Sequence, residues 1–118
     1  MKLFDTDAIV DMLKAEKYEH GSISVVTLTE ILRGVKDDKR GLVKKLLEDS
    51  FNAIWLDNDI VQAYCKIYRN LKERGELIPD ADILIAATAV SKNLSLISND
   101  MHFEKVAAFG LKLMKNWR

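Results

Sequence analysis

The chain has 118 residues, 48% of them hydrophobic and 31% charged, which is enough for one buried core and too little for a second. Its 18 basic residues are matched by 18 acidic ones, so no chain-wide positive field exists and any nucleic acid has to be held by a local patch. A lone cysteine, Cys65, excludes an intramolecular disulfide framework and a cysteine-based zinc site. No apolar run approaches the ~18 residues of a membrane span, and the opening residues lack a secretory layout, so a cytoplasmic protein without a membrane partner is expected.

In chain order, Lys2-Leu3-Phe4 reads as a short buried strand, punctuated by Asp5-Thr6-Asp7, after which Ala8, Ile9, Met12 and Leu13 recur at helical spacing. Gly21-Ser22 breaks that pattern before the β-branched stretch Ile23–Val26, a second strand. Thr27 to Arg33 reads as a short helix stopped by Gly34, and Leu42, Val43, Leu46 and Leu47 mark another. Residues 52–56 read as a strand. Asp57 or Asn58 then caps a long helix whose expected inward face is Ile60, Val61, Tyr64, Ile67, Tyr68 and Leu71, with Gly75 beyond its end. Pro79 suits the start of a helix through Ile83, Leu84, Ala86, Ala87 and Val90. Leu94–Ile97 is a strand, Asp100 to about Ala108 a short helix, and Leu111–Met114 a last strand. Strands separated by helices imply a parallel sheet covered on both faces, hence one α/β domain over residues 1–118.

Sites on such sheets form beyond the carboxyl ends of the strands. Asp5 follows the first strand, Asp100 follows Leu94–Ile97, and Asp82 and Glu30 fall in the first turns of their expected helices. Each has an innocent reading, since acids cap helices and complement their dipoles, and Thr27-Leu28-Thr29-Glu30 spells a capping box. Together they carry a different implication. Two carboxylates ~4 Å apart repel by roughly 4 kcal/mol at an effective dielectric near 20, so a cluster of four needs a cation or protons. An all-oxygen donor set suits Mg²⁺ or Mn²⁺.

Four blocks carry a family resemblance: Leu3-Phe4-Asp5-Thr6-Asp7, Val26 to Gly34, Ile78-Pro79-Asp80-Ala81-Asp82-Ile83-Leu84-Ile85-Ala86-Ala87, and Leu96-Ile97-Ser98-Asn99-Asp100-Met101-His102-Phe103-Glu104. They resemble the PIN-domain family, and within it the VapC-type toxins. The third block, an acid directly before Ile-Leu-Ile-Ala-Ala, is the most specific. The resemblance implies a PIN-like, Rossmann-like three-layer fold with a mostly parallel central sheet flanked by helices. It implies an endoribonuclease dependent on one or two Mg²⁺ or Mn²⁺ ions, acting as the toxin of a toxin–antitoxin pair. By matching position, Asp5, Glu30, Asp82 and Asp100 are the metal-binding and catalytic acids. Asp7 is expected to act through water or from behind the ligands, and the Ser98 hydroxyl to orient Asp100 or a water on the metal. Asp80 is excluded, because residues two apart on a helix do not share a face. A homodimer and a small cognate antitoxin that blocks the site are implied as partners beside the RNA substrate.

For that RNA, Arg33, Lys36 and Arg40 are the first phosphate-contact candidates, with Lys39, Arg69, Lys72 and Arg74 behind them. His20 and His102 show no metal-ligand spacing and are assigned surface or packing roles. Cys65 is expected to be an inert buried thiol, and Tyr64, Tyr68, Met12, Leu13 and Leu32 to be core. Three rivals remain. Asp5-Thr6-Asp7 imitates the Asp-x-Asp of haloacid-dehalogenase-type phosphatases, with Asp5 as nucleophile and Asp7 as acid. Asp57 imitates a receiver-domain phosphoacceptor. A non-catalytic PIN-like RNA-binding module is the third.

Overall fold

In the computed structural model, which describes residues 1–115 and 117, five strands of three residues each build the sheet: β1 (Lys2–Phe4), β2 (Ser22–Ser24), β3 (Asn52–Ile54), β4 (Ser95–Ile97) and β5 (Lys112–Met114). Their order is β3-β2-β1-β4-β5 and every pairing is parallel. The helices are α1 (Thr6–Ala15), α2 (Val25–Leu32), α3 (Asp37–Ser50), α4 (Asn58–Glu73) and α5 (Asp80–Ser91), with a 3₁₀ helix over Met101–Phe109.

Alternation along the strands divides the core into two layers. Leu3 and Leu96 point to one face and pack with Ile60, Ile67 and Leu71 of α4, Ile83 and Ala87 of α5, and Phe103 and Val106 of the 3₁₀ helix. Their neighbours Phe4 and Ile97 point to the other face, where Ile23 joins Ile9 and Met12 of α1, Leu28 and Leu32 of α2 and Leu47 of α3. This is the expected α/β architecture, with a parallel sheet flanked by helices. Helix α5 buries Ile83, Ile85, Ala86, Ala87, Thr88 and Ala89, so its apolar run is a helix enclosed on most sides rather than an amphipathic one. No helix of the described residues is long and apolar enough to cross a membrane.

Three local expectations are corrected. The strand expected over Ile23–Val26 ends at Ser24, whose hydroxyl accepts from the Val26 N–H at 3.0 Å and so caps α2 two residues early. That earlier start removes Thr27 from the cap position; the Thr27–Glu30 capping box does not form, and Glu30 lies beyond the first turn. On α4, Val61 is exposed rather than inward. Cys65 is exposed as well, because the face turned toward α5 is carried by Ile60, Ala63, Tyr64, Ile67, Tyr68 and Leu71.

Gly21 precedes β2 where no side chain fits. An added Cβ would lie 2.4 Å from Phe4 Cε2 and 3.0 Å from the Lys2 carbonyl oxygen.

Candidate metal centre

Strands β1 and β4 are adjacent and in register, Phe4 opposite Ile97, so the residues that follow them emerge side by side. The Asp5 N–H donates to the Ile97 carbonyl at 3.2 Å and extends the ladder by one bond. Asp5 also caps α1: its Oδ1 accepts from the Ala8 N–H at 2.8 Å, while Oδ2 accepts from the Ser98 hydroxyl. Only 4% of Asp5 is exposed. Burial pushes its carboxyl above the ordinary value and the charges of Asp7 and Asp100 push the same way, against the lowering effect of the two hydrogen bonds.

Ser98 works in two directions, since its Oγ also accepts from the Asp100 N–H at 3.0 Å. The expected link from Ser98 to Asp100 is thus a backbone one, and the hydroxyl proton goes to Asp5. Asp100 caps the 3₁₀ helix, with Oδ1 accepting from the His102 N–H at 2.9 Å. That turn brings the His102 ring back over the site. Its Nδ1 lies 3.6 Å from Asp100 Oδ1 and 3.5 Å from Asp82 Oδ2. Asp82 arrives from the first turn of α5. Its carboxyl is raised chiefly by burial, and further by the charges of Asp100 and Glu30, while His102 opposes the shift.

Glu30 comes from α2 and is held by α1: the Thr6 hydroxyl donates to Glu30 Oε1 at 2.7 Å and lies 3.2 Å from Thr27 Oγ1. One donor atom each from Asp82, Asp100 and His102 lies within 4.8 Å of the others. Asp5 joins this trio through Ser98 and through the charge of Asp100, and Glu30 through its effect on Asp82. The four acids drawn from the sequence therefore share one electrostatic neighbourhood at the carboxyl edge of the sheet.

The donor set fits a divalent cation. It is rich in carboxylate oxygens with one imidazole nitrogen at its border, and the two acids whose shifts are upward are those for which a nearby positive charge is most favourable. His102 is the residue that sequence reasoning passed over. His102 and His20 have no metal-ligand spacing, and the one signal in the sequence is the place of His102 two residues after Asp100, within reach of the same cap.

The other candidates are distributed as follows. Asp7 is exposed and lines a cleft with Asp5 and Ser98. Asp80 is turned away, accepting from the Tyr64 hydroxyl at 2.7 Å. Arg33 and Lys36 are exposed. Arg40 is exposed as well, and it donates to the Leu32 and Val35 carbonyls and pairs with Asp37. The phosphatase-like reading asks for an unencumbered nucleophilic oxygen on Asp5, and both of its oxygens are engaged. Asp57 lies at the amino edge of the strands, among Met1, Ser22 and Leu94 and paired with Lys92, far from where a receiver phosphoacceptor has to stand.

The model of the PIN domain matches residues 2–109. The chain belongs to the PIN-domain family. Ribonuclease VapC1 of Methanocaldococcus jannaschii is 39% identical to it over 115 residues, covering 94% of this chain and 85% of the relative. Among solved structures, VapBC-1 from nontypeable Haemophilus influenzae matches with a TM-score of 0.83 at 23% identity, covering 97% of this chain and 96% of that one. DNA-bound VapBC from Salmonella typhimurium matches with a TM-score of 0.83 at 18% identity and the same coverage. At these identities the structural likeness is one of fold, and the acid cluster sits at the carboxyl edge of that PIN sheet.

Proposed function

We propose that this PIN domain, acting as one unit over residues 1–118, is the ribonuclease toxin of a VapBC-type toxin–antitoxin pair, hydrolysing RNA phosphodiesters with Mg²⁺ or Mn²⁺. The observation that carries the reading is the clustering of donor atoms of Asp82, Asp100 and His102 within 4.8 Å on one sheet edge, with the buried Asp5 beside them through Ser98. The 39% identity to a protein named as a ribonuclease, and the fold shared with the toxin of VapBC complexes, support the RNA substrate and the antitoxin partner.

Asp5, Glu30, Asp82 and Asp100 are the residues that would hold one or two ions. A divalent ion bound there supplies charge neutralisation at the phosphodiester and acidifies the attacking water. The protein's own contribution is orientation. Ser98 and the α1 amide fix both oxygens of Asp5, Thr6 fixes Glu30, and His102 Nδ1 lies 3.5 Å from Asp82 Oδ2 and 3.6 Å from Asp100 Oδ1. Asp7, exposed beside Asp5, acts through water. Arg33 and Lys36 offer phosphate contacts on the α2–α3 connection. Cleavage leaves a 5′-phosphate and a 3′-hydroxyl. A homodimer in the cytoplasm, silenced by a small antitoxin, completes the reading.

The test is cleavage of single-stranded RNA with Mg²⁺, with Mn²⁺ and with chelator. Asp5→Asn keeps the side-chain volume and removes a ligand charge, so it should abolish cleavage with an unchanged circular dichroism spectrum. Wild-type, metal-dependent cleavage by that variant overturns the assignment.

A further inference from the structure

Trp117, which follows β5 in sequence, settles against α1. Its indole Nε1–H donates to Asp11 Oδ2 at 2.7 Å, and the ring packs on the core layer of Phe4, Ile9 and Met12. The indole is thereby held on two sides. It forms one wall of a cleft of about 260 Å³ whose other walls include Asp5, Asp7, Asp11, Ser98 and Asn99. Asp5 is thus common to the acid cluster and to this cleft.

We infer that the cleft beside Asp5 is a base-binding subsite, in which Trp117 stacks an unpaired RNA base next to the phosphodiester to be cut. This deepens the ribonuclease reading and rests on it. Three arguments converge. An aromatic wall beside the reacting group is the usual means of holding a splayed-out base, since every base has a stacking face. An indole already fixed by a hydrogen bond and by packing loses little freedom when a base is laid on it. Three of the described lining residues are aspartates, whose charge disfavours a phosphate in the cleft and leaves it to an uncharged base. The backbone of the bound strand then runs along the acid cluster while its base turns into the cleft.

Indole fluorescence tests this directly. The chain has two tryptophans, and Trp55, exposed at the far edge, is replaced in Trp55→Phe so that Trp117 alone emits. Titration of that variant with a single-stranded RNA oligonucleotide in chelator should quench its emission saturably, and a blunt RNA duplex should not. Trp117→Ala should weaken binding of the same oligonucleotide, followed by anisotropy, by about 5- to 150-fold, while Trp117→Phe should stay within about threefold. Quenching equal for duplex and single strand, or unchanged RNA affinity in a folded Trp117→Ala protein, overturns the subsite. Because these readings are taken without metal, they are independent of cleavage. RNA cleavage without Trp117 quenching sinks the subsite alone, and saturable quenching by a wild-type chain that cuts no RNA sinks the nuclease reading alone.

Discussion

Ser98 and Asp5, 93 residues apart in sequence, are joined side chain to side chain where β4 and β1 end. The same Ser98 oxygen accepts the Asp100 amide at 3.0 Å, so one hydroxyl fixes a buried carboxylate and the backbone of a second acid. Ser98→Ala leaves Asp5 Oδ2 and the Asp100 N–H without these partners. The cost expected for orphaning such buried groups is about 1–3 kcal/mol, read as a lower urea midpoint at unchanged slope. Ser98→Thr, which restores the hydroxyl, should recover most of it. A midpoint for Ser98→Ala equal to wild type contradicts the shared-hydroxyl arrangement.

The upward shifts of Asp5 and Asp82 set a pH dependence for the metal-free protein. With a raised value in the folded state, the folded chain holds more protons than the unfolded one between the ordinary carboxylate value of 3.8 and the shifted values. Stability is therefore greatest, as far as these two groups decide it, below the ordinary value and falls as pH rises through the shifted ones. In chelator, thermal melts should show this decline, and Asp5→Asn should flatten it and melt higher than wild type at neutral pH. A melting temperature that climbs through the same window in wild type, with Asp5→Asn below it at neutral pH, contradicts the burial of a charged Asp5.

A divalent ion that binds only the folded chain raises its stability by linkage, about 2.7 kcal/mol at a hundredfold excess over the dissociation constant. Mn²⁺ should therefore raise the melting temperature of wild type, and Asp82→Asn should lose most of that increment. His102→Ala distinguishes an imidazole that donates to the ion from one that merely spaces two carboxylates. The first role predicts a smaller Mn²⁺ increment than in wild type. An identical increment assigns His102 to spacing.

The sheet was legible in the sequence because short apolar runs alternated with helical periodicity, and each run became a strand of the parallel sheet. Boundaries were less so. Val25 and Val26 have the β-branched look of a strand, yet Ser24 caps a helix at that point, and a side-chain cap outweighs propensity over two residues. The site divides in the same way. Asp5 and Asp100 were readable as acids that follow adjacent strands, because parallel topology fixes which ends are shared. His102, Thr6 and Trp117 were not, since each reaches its place through a contact between distant segments. Cys65 failed for a simpler reason: α4 packs with only part of its circumference, and a small residue one position after Tyr64 falls just outside that arc.

At the opposite edge, Gly21→Ala probes packing without touching the acids. The new methyl group meets the Phe4 ring at a distance no real Cβ tolerates and lies tight against the Lys2 carbonyl, so a loss of about 1–3 kcal/mol is expected from overpacking. Cleavage per folded molecule should be unchanged. A Gly21→Ala protein as stable as wild type contradicts the close approach of Phe4.

Because β1 lies in the middle of the sheet while its neighbour β4 is supplied near residue 95, a growing polypeptide carries Asp5 out of the ribosome long before Ser98 and Asp100 exist to meet it. A chain that stops short of Ser98 and Asp100 cannot gather the acids. Whatever this centre does to nucleic acid, translation itself delays it until Ser98, 93 residues after Asp5, has been made.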